Sequence, residues 1–183
     1  MFLLETPRLI LRDLLPQDAA PMHLLRSDPV VTRYCDYIAS ETPEQAETWV
    51  RDTMVHNAAE PRLSYNLAIV RRSDGCIMGW IGIGQANDPA LGELSFGYAM
   101  RPDFWGQGYM TEALTALLGC AFRQWGAQSV QGECDAANPA SARVMEKAGL
   151  RFIKRTPEED GSESLWYAAT AAEWQARAAK RDV

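Results

Sequence analysis

Two glycines, Gly106 and Gly108, stand where a chain can hold a phosphate group. Before them runs Phe96-Gly97-Tyr98-Ala99-Met100, a short stretch of strand character, and then a turn, Arg101-Pro102-Asp103-Phe104-Trp105. After them apolar residues recur at Met110, Ala113, Leu114, Leu117, Leu118, Ala121, Phe122 and Trp125, the spacing of a helix with one buried face. The first N–H groups of such a helix have no intrahelical partner, and the helix dipole favours an anion beside them. Glycine lets a ligand approach the backbone that a Cβ would shield. Two phosphate motifs are excluded. The dinucleotide fingerprint requires a third glycine where Thr111 stands, and the Gly-Lys-Ser/Thr of a Walker A loop is absent. A diphosphate within another cofactor remains, as does the alternative of a tight strand-to-helix turn with no ligand. Gly82-Ile83-Gly84 has the same spacing but lies inside an apolar run, so it carries no phosphate role.

Composition bounds what else the chain does. Its 183 residues fit one domain over 1–183, with a core at about 6–170 and a helical tail over 171–183. Hydrophobic residues at 47% and charged residues at 23% are ordinary for a globular protein, and no apolar run is long enough to span a membrane. Met-Phe-Leu-Leu-Glu-Thr-Pro-Arg lacks a basic segment before an apolar one, so the expected location is cytoplasmic. Cys35, Cys76, Cys120 and Cys134 are scattered, and with two histidines they predict reduced thiols and no metal site. A net charge of −6 disfavours nucleic acid as a partner. It suits either the steering of a cationic substrate or solubility alone.

The elements that position the loop follow in order. Arg8 to Leu14 alternates as a strand. Pro16-Gln17-Asp18 opens a helix to about Arg26, and a short turn or helix follows Asp28-Pro29 up to Tyr34. Thr42, with Gln45 as its reciprocal partner, caps a helix from Pro43 to about Ala59. Three strands come next, at Tyr65–Arg71, Cys76–Gln85 and Gly92–Met100. Ser73-Asp74-Gly75 is the first turn between them and Asn87-Asp88-Pro89 the second break. Gly79, Gly82 and Gly84 predict kinks or close packing in the second strand. Beyond the glycine loop and its helix, Ser129–Cys134 is a strand. Asn138-Pro139 caps and opens a helix that Gly149 ends. Leu150–Arg155 and Ser164–Ala169 pair around Glu158 to Gly161, and Ala171 to Lys180 is a helical tail. Strands clustered ahead of the glycine loop exclude regular β-α alternation, so an α/β class with a mixed (α+β) sheet and packed helices is expected.

This order and three of its segments resemble the GNAT acetyltransferase superfamily, and within it the RimJ/RimL-like branch of ribosomal-protein N-terminal acetyltransferases. Thr6-Pro7-Arg8-Leu9-Ile10-Leu11-Arg12 is similar to that branch's opening strand. Phe104-Trp105-Gly106-Gln107-Gly108-Tyr109-Met110-Thr111-Glu112-Ala113 is similar to its acetyl-CoA loop. Asn138 to Leu150 is similar to its second cofactor motif. The resemblance spans about Thr6 to Thr170. It implies a central, mostly antiparallel twisted sheet, splayed at the cofactor site, with helices on both faces. This chain departs from the pattern at Asp103, where Gln or Arg is common. It departs again at Met145, where many members carry a tyrosine, and at Leu150, where Phe is usual. A methionine has no proton to donate.

The resemblance implies acetyl-CoA as acyl donor, CoA as product and direct transfer to an amine. By it, Gly106, Gln107, Gly108, Tyr109, Met110 and Thr111 hold the diphosphate by backbone amides, with the Thr111 hydroxyl as an addition. Tyr98-Ala99-Met100 is the strand segment that pairs with the pantetheine, and an N–H near Met100 is the oxyanion donor. Asn138 contacts the cofactor arm, or is a plain helix cap. Ser141 protonates or positions the departing thiolate, or is an ordinary first-turn serine. Glu93 is the candidate general base, directly or through water, or else a solvated strand-end carboxylate. His23, His56, Trp49 and Tyr34 are weaker candidates for the acceptor cleft; for the histidines an exposed helical position is expected, and for the aromatics a core one. Arg143 and Lys147 suit the C-terminal half of their helix, with a weak link to an outer phosphate.

An α-amine with a pKa near 8 is about 10% neutral at pH 7, whereas a lysine amine near 10.4 is under ~0.1% neutral. A poorly built base therefore favours an N-terminal or other low-pKa amine. Three readings stand. The chain is an N-acetyltransferase of a protein N-terminus, an acetyltransferase of a small amine such as an aminoglycoside or polyamine, or a non-catalytic acyl-CoA-binding module. The acceptor's identity and the oligomeric state are not written in readable form; a homodimer through a sheet edge or the tail helix stays open.

Overall fold

The computed structural model describes residues 1–34, 42–85 and 93–179. The expectations for Cys35, for the Asn87-Asp88-Pro89 break, for Gly92 as a strand start and for Lys180 as a helix end lie outside the described residues. The chain forms two compact units, residues 1–83 with 98–109, and residues 84–97 with 110–183.

The first unit begins with a strand that the alternation pattern did not mark, β1 (Leu3–Glu5), antiparallel to β2 (Leu9–Asp13) with Leu3 opposite Arg12. Three residues are too short a window for a period-2 signal. What makes the strand is the turn after it, where Thr6 N–H donates to the Leu9 carbonyl and Leu9 N–H donates to Thr6 Oγ1. β2 pairs antiparallel with β3 (Ser64–Arg71), and the order continues to β4 (Ile77–Gln85) and the end of β5 (Glu93–Met100). The expected close packing holds at Gly79, where a Cβ would collide with the Ala99 carbonyl. The helices are α1 (Ala19–Arg26), preceded by a 3₁₀ turn at Pro16–Asp18, α2 (Pro29–Thr32) and α3 (Pro43–Asn57). α3 carries the capping box read from Thr42 and Gln45. Leu14, Met22, Leu25, Val31, Val50, Ala68, Val70, Trp80 and Ala99 form the core here.

Two carboxylates, Asp18 buried and Asp13 half-buried, brace this unit. Asp18, fully buried, accepts from both Arg12 guanidinium nitrogens at 2.6 and 2.9 Å and from Leu15 N–H. Asp13 accepts from Arg62, from Phe2 N–H and from Asn57 Nδ2. A buried charge is tolerable only with its hydrogen bonds filled, and both sets are.

In the second unit the start of β5 runs parallel to β6 (Ser129–Asp135), β6 is antiparallel to β8 (Glu163–Thr170), and β8 is antiparallel to β7 (Arg151–Pro157). The eight strands form one mostly antiparallel mixed sheet in the order β1-β2-β3-β4-β5-β6-β8-β7. α4 (Tyr109–Arg123) buries the predicted apolar face, and Cys120 with it; Trp125 falls just beyond the helix. α5 (Pro139–Ala148) ends at Gly149, which has φ +110°. α6 (Ala171–Ala179) follows β8, and its Trp174 ring lies 5.4 Å from that of Phe122. Among the described residues no helix is long and apolar enough to cross a membrane.

Candidate active site

The glycine loop is held open from both sides of its sequence. A 3₁₀ turn at Pro102–Phe104 leaves β5, with Phe104 buried. Gly106 has φ +73° and Gly108 φ +79°, a region that L residues rarely enter, and a Cβ at Gly106 would meet no atom within 4 Å. α4 begins at the next residue, Tyr109. Left-handed glycines directly before a helix start form a concave set of N–H donors suited to phosphate oxygens. Gly106, Gln107 and Gly108 are exposed, as a backbone anion site requires. Met110 lies in the core, so only its backbone can serve a ligand, while Thr111 is half-buried in the first turn.

Side-chain contacts lock the loop. Gln107 folds its amide back to the Asp103 carbonyl at 2.9 Å. Arg8 donates to the Gln107 carbonyl at 3.0 Å and lies 4.4 Å over the Tyr109 ring. The Trp105 indole donates to the Met100 carbonyl at 2.6 Å and so ties the loop to the end of β5. The unusual Asp103 is paired with Arg101 at 3.0 Å. Arg8, Asp103, Trp105 and Gln107 were all named from the sequence, but these side-chain contacts depend on how the turn closes.

β5 also changes its pairing. Its ladder with β6 covers Glu93 to Ser95 against Ser129 to Gln131 and then stops. Past Ser95 the Phe96 ring covers Gly132, where a Cβ would strike it. A strand that leaves its parallel neighbour midway presents backbone groups to which an extended amide chain can add. Beyond it on β5, Tyr98 is half-buried, while Ala99 and Met100 are buried. Glu93 sits half-buried at the first β5 residue and forms no ion pair among the described residues.

On α5, Asn138 caps the helix by accepting from Ser141 N–H at 3.1 Å. The cap uses Asn138 Oδ1 alone, so the cap and a ligand contact through Nδ2 are compatible. Ser141 is half-buried, and its hydroxyl hydrogen-bonds the Cys134 thiol on β6. Burial pushes that thiol's pKa up, and Ser141 pulls it part of the way back. Met145 is fully buried and belongs to the core. The phenol beside α5 comes instead from Tyr167 on β8, whose hydroxyl lies 3.3 Å from Glu146 Oε1; burial and that carboxylate raise its pKa. The contacts of Cys134 and Tyr167 were not legible in the sequence, because their partners come from another strand or helix.

The weaker candidates divide. His56 is exposed as expected, but His23 is half-buried and its Nδ1 has no hydrogen-bond partner among the described residues. Trp49 is half-buried, with Arg26 4.3 Å over its ring and Trp80 6.1 Å away. Tyr34 is half-buried under Arg33. Arg143 and Lys147 are exposed.

Comparison with known proteins identifies the family. Residues 8–151 match the acetyltransferase (GNAT) domain. The chain is 26% identical to YnaD of Bacillus subtilis (strain 168), named an uncharacterized N-acetyltransferase, over 93% of this chain and 98% of that one. Its fold is similar to that of RimL, a ribosomal L7/L12 alpha-N-protein acetyltransferase solved with coenzyme A. The TM-score is 0.80 at 17% identity, over 92% of this chain and 98% of that one. It is equally similar to spermidine N-acetyltransferase from Vibrio cholerae solved with CoA and spermine. There the TM-score is 0.79 at 14% identity, over 93% and 99% of the two chains. The glycine loop, the interrupted β5–β6 ladder and the family match agree: this chain belongs to the GNAT acetyltransferases and is an N-acetyltransferase.

Proposed function

We propose that this protein transfers an acetyl group from acetyl-CoA to a primary α-amine, such as a protein N-terminus, as in the RimJ/RimL-like branch. It does so as one cytoplasmic acetyltransferase domain. The observation that carries the cofactor half of the reading is the pair of left-handed glycines opening directly into α4. Acetyl-CoA, when bound, supplies the thioester carbon that an amine attacks. The backbone amides of Gly106, Gln107, Gly108, Tyr109, Met110 and Thr111 bind its diphosphate. Backbone groups of Tyr98, Ala99 and Met100 pair with its amide arm, and the Met100 N–H is the hydrogen-bond donor to the acyl oxygen. Asn138 Nδ2 donates to the same arm. The Ser141 hydroxyl, already bonded to the Cys134 thiol, positions sulfur rather than acting as a strong acid. Glu93 stands at the far end of β5, about 23 Å from Met100 at about 3.3 Å per residue, so it takes the amine proton only through a chain of waters.

The acceptor reading rests on that last group. Glu93 is half-exposed at a strand end, and an α-amine needs far less help from a base than a lysine amine does. A polyamine is the second reading. It is favoured by the net charge of −6 and by the likeness to the spermidine enzyme. The test is free-thiol release from acetyl-CoA with α-amine peptides, spermidine and aminoglycosides as acceptors. Turnover restricted to peptides with a free N-terminus supports the first reading. Turnover on polyamines alone replaces it, and cofactor binding without turnover on any class moves the weight to a binding module.

A further inference from the structure

Within the second unit, α5 has little packing of its own. It spans ten residues, and the side chains it buries are Ala142, Met145 and Ala148. A helix of that length is marginal in water unless packing or capping holds it. Two alanines and one methionine remove little apolar surface, so the caps of α5 matter more than those of a long helix. Its start is capped by Asn138, which accepts from Ser141 N–H. Its last carbonyls have no intrahelical donor. Beyond the helix, Gly149 at φ +110° turns its N–H onto the Met145 and Glu146 carbonyls. The Lys147 carbonyl is met from another element: Arg177 Nη2, on α6, donates to it at 2.8 Å.

The start of α6 is fixed by a reciprocal cap. Glu173 N–H donates to Thr170 Oγ1 at 3.3 Å, and Thr170 N–H donates to Glu173 Oε2 at 2.9 Å. Glu173 Oε1 also pairs with Arg151 on β7 at 2.5 Å, and the Trp174 ring lies 5.4 Å from that of Phe122. Arg177 stands one turn beyond Glu173, on the same face of α6 as Glu173 and Trp174. Its guanidinium fills the space that a Cβ on Gly149 would need. Gly149 thus makes the left-handed turn and also admits Arg177. The cation stands at the negative end of the α5 dipole, where a positive charge is favourable. The matched family domain ends at residue 151, so this contact comes from a tail beyond it.

We propose that Arg177 is a positioning residue: by capping the C-terminal end of α5 it holds Asn138 and Ser141, at the other end, in place for the cofactor arm. The proposal rests on the reading that Asn138 contacts that arm. Arg177 acts through α5 and not by touching the cofactor. At about 1.5 Å per residue the two ends of α5 are only about 15 Å apart, a rod of about three turns. Fraying that starts at one end of so short a helix reaches the other within a turn or two. The tail helix is then a working part of the acetyltransferase and not an appendage to it.

The test uses the full chain with Arg177→Ala, Arg177→Lys and Asn138→Asp, alone and with Arg177→Ala added to Asn138→Asp. Hydrogen exchange reads α5, and calorimetric titration of acetyl-CoA reads the site. Arg177→Ala should speed exchange of the α5 amides by about fivefold to tenfold and leave those of α4 unchanged. Acetyl-CoA affinity should fall by about threefold to tenfold. Arg177→Lys keeps the charge and should recover part of both. In the Asn138→Asp background Arg177→Ala should cost less affinity, because both changes act through one contact. Unchanged α5 exchange overturns the proposal. So does an increase spread evenly over α4 and α5, which marks general destabilisation, or an equal loss of affinity in both backgrounds. If α5 loosens while affinity holds, the positioning role fails. Asn138→Asp alone then separates the two failures: weaker binding leaves the cofactor reading of Asn138 standing, and unchanged binding removes it as well.

Discussion

Gly106→Ala separates a glycine kept for a turn from a glycine kept for a ligand. At Gly106 a Cβ would meet nothing within 4 Å, so the substitution adds no clash. What it adds is backbone strain at φ +73°, about 1–2 kcal/mol. For a chain of this size about 1 kcal/mol moves the melting temperature by about 2–4 °C, so a fall of about 2–8 °C is expected. Gly75, in the turn between β3 and β4, has the same φ of +73° and the same open surroundings. Gly75→Ala is therefore a matched control with equal strain and no place in the glycine loop. The two variants should lose similar stability and differ in cofactor affinity. A methyl group on the loop, or a backbone that rotates to relieve the strain, removes at least one N–H bond to a charged phosphate oxygen. Such a bond contributes about 1.5–3 kcal/mol, or about tenfold to over a hundredfold in dissociation constant. Thermal melting with calorimetric titration of acetyl-CoA reads both quantities. If Gly106→Ala melts like Gly75→Ala and binds acetyl-CoA as tightly, the loop amides do not hold the cofactor and the reasoning fails at its first step.

The second site motif is tested by paired substitutions at Asn138. Asn138→Ala removes the α5 cap and should cost about 1 kcal/mol, while Asn138→Asp keeps the capping oxygen and the melting temperature. A loss of acetyl-CoA affinity in both variants marks Nδ2 as a ligand donor; a loss in Asn138→Ala only would reduce Asn138 to a cap. Ser141→Ala removes the hydrogen bond that draws the Cys134 pKa down, so the thiol's titration should move to higher pH. Iodoacetamide labelling of Cys134 against pH, followed by mass spectrometry, measures this, and an unmoved midpoint would contradict the contact. Glu173, at the start of α6, has its pKa lowered by the Thr170 N–H and then by Arg151. Its contribution to that helix should be complete above the ordinary glutamate value of 4.5 and lost as pH falls through the lower folded value. Fluorescence of Trp174, stacked near Phe122, should report acid loosening of α6 that Arg151→Ala shifts to higher pH; identical acid profiles for the variant and wild type would refute it.

Local signals in the chain were sufficient for most elements. Thr42 and Gln45 start α3, Asn138-Pro139 starts α5, Gly149 stops it, and the periodicity from Met110 to Phe122 marks the buried face of α4. Each is a relation among residues within one or two helical turns, so a linear pattern encodes it. The glycine loop is of the same kind: a strand, two glycines and a helix start are contiguous, and the left-handed turn into α4 follows from them. The family likeness was legible for that reason, since its motifs sit on such contiguous segments.

Tertiary structure alone decided what surrounds the glycine loop and what packs beside α5. Arg71 and Arg72 come from a β-turn more than thirty residues before Tyr109, and only folding places them on the same cleft as Arg8. Cys134 gains its Ser141 partner from a neighbouring helix, and Tyr167 brings a phenol to α5 from β8 while Met145 is consumed by the core. Leu3–Glu5 becomes a strand only because β2 offers it an edge. These contacts join residues whose sequence separation is set by the whole topology, and no short pattern records them. The acetyltransferase family was therefore readable from the chain, whereas the contacts around the glycine loop and α5 were set by packing.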